Sequence, residues 1–167
     1  MKYCPTCANP LALRVLEGVE REACTLPTCQ YIHWDNPVPV VAALVQYRDH
    51  VILARNAQWP SPMFSLITGY LERNESPEQA VLREVHEELG LQGQVSGFIG
   101  HYSVFKNNQL LLAYWVRADG QLKLDKEIAE VRLVSHDQLK HYEFGELTIT
   151  AQIVNEYLQK ITAPASA

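Results

Sequence analysis

The chain predicts an α/β fold, a mixed sheet between helical layers preceded by a small module held together by cysteines. Three observations carry this. From residue 40 onward, short apolar runs of strand length alternate with two or three segments of helical character, the pattern of a sheet covered by helices. One helical segment, residues 76–89, has complete start and stop signals. All four cysteines lie within the first 29 residues, a clustering that reads as metal binding in a reducing compartment.

Residues 1–35 read as a separate module. Cys4-Pro-Thr-Cys7 has the spacing of a zinc knuckle, and residues 8–23 separate it from Cys24, within the roughly 15–20 residues of a two-knuckle site. The second pair departs from that pattern, because Cys24 and Cys29 bracket four residues. Four thiolates in a tetrahedron satisfy Zn²⁺ and staple a segment too short to build a core. His33 is the alternative to Cys29 as fourth ligand, and Cys29 is favoured; either set makes a closed, structural site.

Residues 33–39, His-Trp-Asp-Asn-Pro-Val-Pro, form a linker. Residues 40–45 are a nearly all-apolar strand, Arg48-Asp49-His50 a turn, and residues 51–54 a second strand. A loop over 56–62 carries Trp59 and two prolines, and a third strand over 64–67 leads into Gly69. After the central helix come strands over 95–105 and 110–116, separated by Lys106-Asn107-Asn108. Ala118-Asp119-Gly120 is a tight turn and 131–134 another strand. A short helix over 135–139 is capped by Ser135 or Asp137. A long one over 148–161 turns Ile149, Ile153 and Tyr157 or Leu158 inward. The small residues of 162–167 form a tail expected to be mobile.

At 167 residues there is room for one ordinary domain and an appendage. The composition, 47% hydrophobic and 20% charged, is that of a soluble globular protein. No apolar run approaches the ~18 residues of a membrane span, and the N-terminus lacks the apolar core of a signal peptide. The expected location is cytoplasmic. A formal net charge of −5 argues against a general nucleic-acid binder, though a local basic pocket for phosphates is compatible with it.

The central helix is unusual in its charge. Ser76 caps it, Pro77 suits the first turn, Gln79 completes a capping box and Gly90 ends it. At 100° per residue, Val81, Leu82, Val85 and Leu89 share an apolar arc that should pack on a sheet. Glu84, Glu87 and Glu88 fall on the adjacent arc, where like charges repel by a few tenths of a kcal/mol per pair. A positive partner among them would explain the arrangement, and Mg²⁺ takes oxygen ligands of this kind.

Residues 69–91 resemble the Nudix box of the Nudix hydrolases, G-x5-E-x7-R-E-U-x-E-E-x-G-U with U apolar. Gly69, Glu75, Arg83, Glu84, Val85, Glu87, Glu88, Gly90 and Leu91 fill every specified position. At about 7% per position, the seven fixed residues would match by chance about once in 10⁸ placements. The resemblance implies a Nudix α/β/α sandwich with a mixed sheet over residues 36–161. It implies an enzyme that cleaves the diphosphate linkage of nucleoside diphosphate derivatives such as NAD(H), FAD or ADP-ribose. It also implies that Mg²⁺ or Mn²⁺ is bound by Glu84, Glu87, Glu88 and the backbone carbonyl of Thr68, with Glu75 and Arg83 as a bracing ion pair. The water's proton would go to Glu84, Glu87 or Glu88, or to a later acid.

A cysteine-rich N-terminus before a Nudix domain is similar in layout to the NADH-pyrophosphatase group. In that group a glutamate after the box also binds metal; the segment 127–132, Glu-Ile-Ala-Glu-Val-Arg, matches it at Glu127, with Glu130 second. The group's downstream signature, S-Q-P-W-P-F-P-x-S, has no matching position in residues 101–109, His-Tyr-Ser-Val-Phe-Lys-Asn-Asn-Gln. Tyr102 and Phe105 could instead stack on a base and Lys106 meet a phosphate, or the aromatics belong to the core and the lysine to a hairpin tip. Two other readings stand beside hydrolysis of a small dinucleotide. One is removal of a nucleotide cap from RNA; the other is a non-catalytic nucleotide sensor whose zinc ribbon contacts a partner. The resemblance further implies a homodimer.

Overall fold

The computed structural model describes residues 2–60 and 62–162, and the chain divides between Pro37 and Val38 into two compact units. In the first unit, β1 (Leu11–Leu16) and β2 (Val19–Cys24) form an antiparallel hairpin, and β3 (Ile32–His33) pairs with β2. The two-residue turn has Glu17 at φ 51° and Gly18 at φ 82°, the left-handed pair that a tight hairpin requires. Cys4, Ala23 and Cys24 are the buried apolar residues of this unit, while Leu13 and Val15 are exposed. With so little core, no apolar alternation marked these strands in the sequence.

The second unit is built around β4 (Val38–Tyr47). β8 (Gln109–Asp119) lies parallel along its whole length, from Val38↔Gln109 to Tyr47↔Ala118. On its other side β4 pairs first with β6 (Ile67–Tyr70), through Val40↔Tyr70 to Ala43↔Ile67. It then pairs with β5 (His50–Asn56), through Val45↔Ile52 to Tyr47↔His50. β7 (Gln92–Val104) and β9 (Ile128–Ser135) are the outer strands, giving the order β7-β8-β4-β5-β9 with β6 beside β4. One parallel pair among antiparallel ones makes the sheet mixed, as expected.

The helices cover both faces. Alternate residues of β4 point opposite ways. Val41, Ala43 and Val45 pack with Val81, Val85 and Leu89 of α1 (Pro77–Leu89). Val40, Ala42 and Leu44 belong to the core on the other side, with Ile153, Val154 and Tyr157 of α3 (Thr148–Thr162). Each buried valine, leucine or isoleucine among them contributes about 1.5–3 kcal/mol.

Several boundaries differ from expectation, and β4, β5, β7 and β9 all begin earlier than expected. The third strand covers Ile67–Tyr70, so Gly69 lies inside it; residue 65 makes only an isolated bridge to Ala54. The glycine, which usually weakens a strand, is here paired with Val41. β8 continues through Asp119, and Gly120 at φ 119° ends it. In α3, Tyr157 and Leu158 are both buried, whereas Ile149 only packs against the core and Thr150 is buried with its hydroxyl 2.8 Å from Ser65. Thr162, expected in the tail, is the last residue of α3, and 163–167 lie outside the described residues. The short α2 (His136–Leu139) is capped by Ser135 rather than Asp137, through a complete capping box.

Candidate active site

Local sequence chemistry fixes the acidic helix. The Ser76 side chain accepts the Gln79 N–H and the Gln79 side chain accepts the Ser76 N–H. At the other end Gly90, at φ 69°, donates its N–H to His86 O. The following segment is tied to the last turn, with Lys123 N–H donating to Leu89 O at 2.8 Å and Asp125 N–H to Glu88 O at 3.1 Å. Asp125 Oδ1 accepts the Glu127 N–H at 2.7 Å, and Glu127 O accepts the Ala57 N–H at 2.7 Å. These bonds bring Glu127 to the same cleft as Glu84, Glu87 and Glu88, a hollow of about 590 Å³ that Thr68 and Asp125 also line.

Arg83 organises one side of this wall. Its Nε donates to Glu75 Oε2 at 3.1 Å and its Nη2 to Glu75 Oε1 at 2.8 Å and to Tyr70 O at 3.1 Å. Its Nη1 donates to Glu84 Oε1 at 2.8 Å and Glu87 Oε2 at 3.1 Å. A guanidinium has five N–H donors, and here all five have an acceptor. Hydrogen bonds from Arg83 hold the Glu75 carboxyl below its ordinary range, helped by the Glu72 N–H.

The other carboxylates feel the opposite pressure. Glu84 is raised above its ordinary value chiefly by burial, against the pull of Arg83. Glu88, only 9% exposed, is pushed up to about 8, first by burial and then by the charges of Glu84, Asp125, Glu127 and Glu87. A carboxyl so placed keeps its proton at neutral pH unless a cation compensates it. The donor chemistry suits a hard divalent ion, since the side chains are all carboxylates and Thr68 lines the same cleft, but among the described residues only the cysteines have their ligand atoms already drawn together. Gly69 fits a divalent ion here too, because a Cβ there would overlap the Glu84 carboxylate. The glycine is the space into which that ligand packs.

The residues expected to meet the substrate are placed otherwise. Tyr102 is 5% exposed in the α3-side core and donates its hydroxyl to Glu156 at 2.8 Å. Burial and then Glu156 raise its phenol above the ordinary value. Phe105, 90% exposed, and Lys106 sit on a 3₁₀ turn (Phe105–Asn107), and neither lines the cleft. The cleft instead has Tyr70, Asn107 and Gln109. Gln109 Nε2 donates to Tyr70 Oη at 3.3 Å and Asn107 Nδ2 to Gln109 Oε1 at 3.4 Å. Tyr70 is adjacent to the box glycine, a position that sequence reasoning passed over. Asn107 and Gln109 carried no signal beyond polarity. Trp59 lines a small hollow of about 40 Å³ with Thr68 and Glu88.

In the first unit the Sγ atoms of Cys4, Cys7, Cys24 and Cys29 all lie within 4.8 Å of one another. The Cys4–Cys29 and Cys7–Cys24 separations are 3.7 and 3.4 Å. A Zn–S distance of about 2.3 Å implies a tetrahedral edge of about 3.8 Å, so the group suits zinc. The backbone amide and side chain of Asn9 lower the Cys7 thiol to about 6, and burial pushes Cys24 up to about 12. His33 lies outside the group and places Nε2 3.8 Å from Asp35 Oδ1.

Comparison with known proteins gives a consistent picture. The NUDIX domain family model matches residues 36–152. The NAD-capped RNA hydrolase NudC of Vibrio vulnificus is 27% identical over 148 residues, covering 83% of this chain and 52% of that protein. Its namesake in Stutzerimonas stutzeri is 34% identical over 90 residues, 54% of this chain and 31% of that protein. The chain therefore spans about half or less of these relatives. A NUDIX hydrolase crystal structure from Nitrosomonas europaea superposes with a TM-score of 0.82 at 24% identity, over 100% of this chain and 97% of that one, a likeness of fold. No described helix is long and apolar enough to cross a membrane.

Proposed function

Since the chain belongs to the NUDIX family, we propose that it is a hydrolase that uses Mg²⁺ or Mn²⁺ to cut the diphosphate linkage of a dinucleotide or nucleotide sugar of the NAD(H), FAD or ADP-ribose type. The single observation that carries this is the cleft that gathers Glu84, Glu87, Glu88 and Glu127 beside Thr68. These residues, with the Thr68 carbonyl, would hold the ion. A divalent ion bound there neutralises phosphate oxygens and acidifies a bound water. Glu75 and Arg83 brace the helix against the loop. An in-line water gives its proton to one of the wall's carboxylates. Tyr70, Gln109 and Asn107 offer an aromatic face and amide groups to the rest of the nucleotide.

The test is a panel of dinucleotides and nucleotide sugars incubated with purified protein and Mg²⁺. Hydrolysis of at least one member into two monophosphate-bearing products is expected. Tight binding of one member without turnover of any would move the assignment to a non-catalytic sensor, a reading the complete set of box glutamates opposes.

A second reading is removal of an NAD cap from RNA, favoured by the activity for which the NudC relatives are named. The net charge of −5 alone does not set nucleic acid aside; an NAD-capped oligonucleotide belongs in the panel.

We assign Zn²⁺ to the four cysteines in a structural role. Metal analysis is expected to show one zinc per chain in the wild type and its loss in Cys24→Ser, with melting of the first unit. A zinc content near zero in the wild type would remove the assignment. The cytoplasm is the compartment that suits four reduced thiols, and a homodimer is the assembly proposed from the family resemblance.

A further inference from the structure

The guanidinium of Arg83 divides its five hydrogen bonds unequally between two tasks. Three run to groups outside the metal-binding set, Glu75 and the Tyr70 carbonyl. The other two, both from Nη1, fall on the carboxylates of Glu84 and Glu87. We propose that Arg83 is a displaceable internal cation: a divalent ion taking Glu84 and Glu87 competes with Nη1 for their oxygens, while Nε and Nη2 stay anchored. This rests on the proposed use of those glutamates as metal ligands and adds a positioning residue to it.

The geometry supports a partial exchange. Glu75 is itself fixed, its Oε1 accepting the Glu72 N–H at 2.6 Å, and its side chain is 15% exposed. Two parallel bonds to such a carboxylate hold a guanidinium in one orientation. The Glu87 side chain is 56% exposed, so its bond to Nη1 competes with water and is the easier to break. Releasing Nη1 thus costs two bonds without freeing the arginine. Until it is released, Nη1 offsets the repulsion between two carboxylates on one helical face. The ion does not enter a bare acidic site; it replaces a charge already there.

A competitor and a simple brace predict different signs. If Arg83 competes, Arg83→Gln, which removes the charge, frees the Glu84 and Glu87 oxygens and tightens binding of Mn²⁺, by roughly two- to fivefold for each of the two ion pairs released. Glu75→Gln removes the anchor, turns more of the Arg83 charge toward Glu84 and Glu87, and weakens Mn²⁺ binding by a similar factor. A brace alone predicts weaker binding in both. Free Mn²⁺, counted by its electron paramagnetic resonance signal during titration of the full chain, gives the affinities. Circular dichroism checks that each variant folds. Independently, the Arg83 guanidinium ¹⁵N resonances of the wild type should change on addition of Mg²⁺, with the Nη1 protons gaining solvent exchange and Nε keeping its slow exchange. Unchanged Nη1 signals at saturating Mg²⁺ would show that the ion takes the other carboxylate oxygens, and would overturn the inference alone, as would weaker Mn²⁺ binding in both variants. No Mn²⁺ binding to the wild type would overturn the metal-dependent function as well.

Discussion

Glu88→Gln is expected to lower metal-dependent diphosphate hydrolysis at least about a hundredfold, the scale of losing a group that acts on the reacting centre, while leaving the fold intact. Glutamine matches the shape of the protonated acid that burial favours at this position, so the core around Leu89 and Val85 does not change. The same substitution alters the pH dependence of stability. An acid whose folded pKa is raised holds a proton that the unfolded chain releases. Its stabilising contribution is complete below the ordinary value of 4.5 and is lost as pH rises toward about 8. Thermal melts from about pH 5 to 9 without added divalent ions should fall more steeply for the wild type than for Glu88→Gln. Equal slopes would show that Glu88 titrates normally; undiminished turnover would remove it from the site.

Gly69→Ala is the second large effect, and it acts without changing any charge. An added Cβ would overlap the Glu84 carboxylate and come within 2.6 Å of its Cγ. The obstructing atoms belong to a side chain, so the strand can persist while Glu84 swings away from β6 and loses its contact with Arg83. The expected result is at least about a hundredfold loss of turnover, with a stability change of about 1 kcal/mol or less. Gly97→Ala is the control, because nothing lies within 4 Å of a Cβ there, and its rate should stay within about twofold of the wild type. Rates and melting temperatures of the two variants compare them directly; an active Gly69→Ala would show that Glu84 works equally well from another position.

How much of this could be read in the chain depended on whether the controlling interactions were local. The caps of α1 at Ser76, Gln79 and Gly90, its apolar arc and its acidic face are all set by residues within one helix, and periodicity reveals them. The pairing of Glu75 with Arg83 followed from the family pattern and appears as a two-bond ion pair. Residues 64–70 were misplaced because pairing to β4, a long-range event, decides which part of that stretch is strand. Phe105 lies one residue past β7, on the 3₁₀ turn, where there is no alternation to read, and Tyr102 was ambiguous for a reason internal to its strand. In an edge strand broken by bulges between Val95/Gly97 and Phe98/Gly100, alternation no longer says which face a side chain joins. The hairpin of the first unit was invisible because its strands bury almost nothing.

The main-chain bonds that tie Lys123 and Asp125 to the end of α1 have a mechanical consequence. One side of the cleft is a single stiff body. The backbone of Asp125 is bonded directly to that of Glu88, and Glu127 is fixed one step further on by the short Asp125 side chain and by Ala57. On the opposite side the backbone of Tyr70 and Gln109 is paired to β4, but the side chains of Tyr70, Gln109 and Asn107 meet only through bonds of 3.3 and 3.4 Å. Under load from a ligand those side chains give more readily than the segment bonded to the end of α1. On the proposed function, differences in the bulk of what is bound would be taken up away from the carboxylates, leaving the reacting bond in the same place.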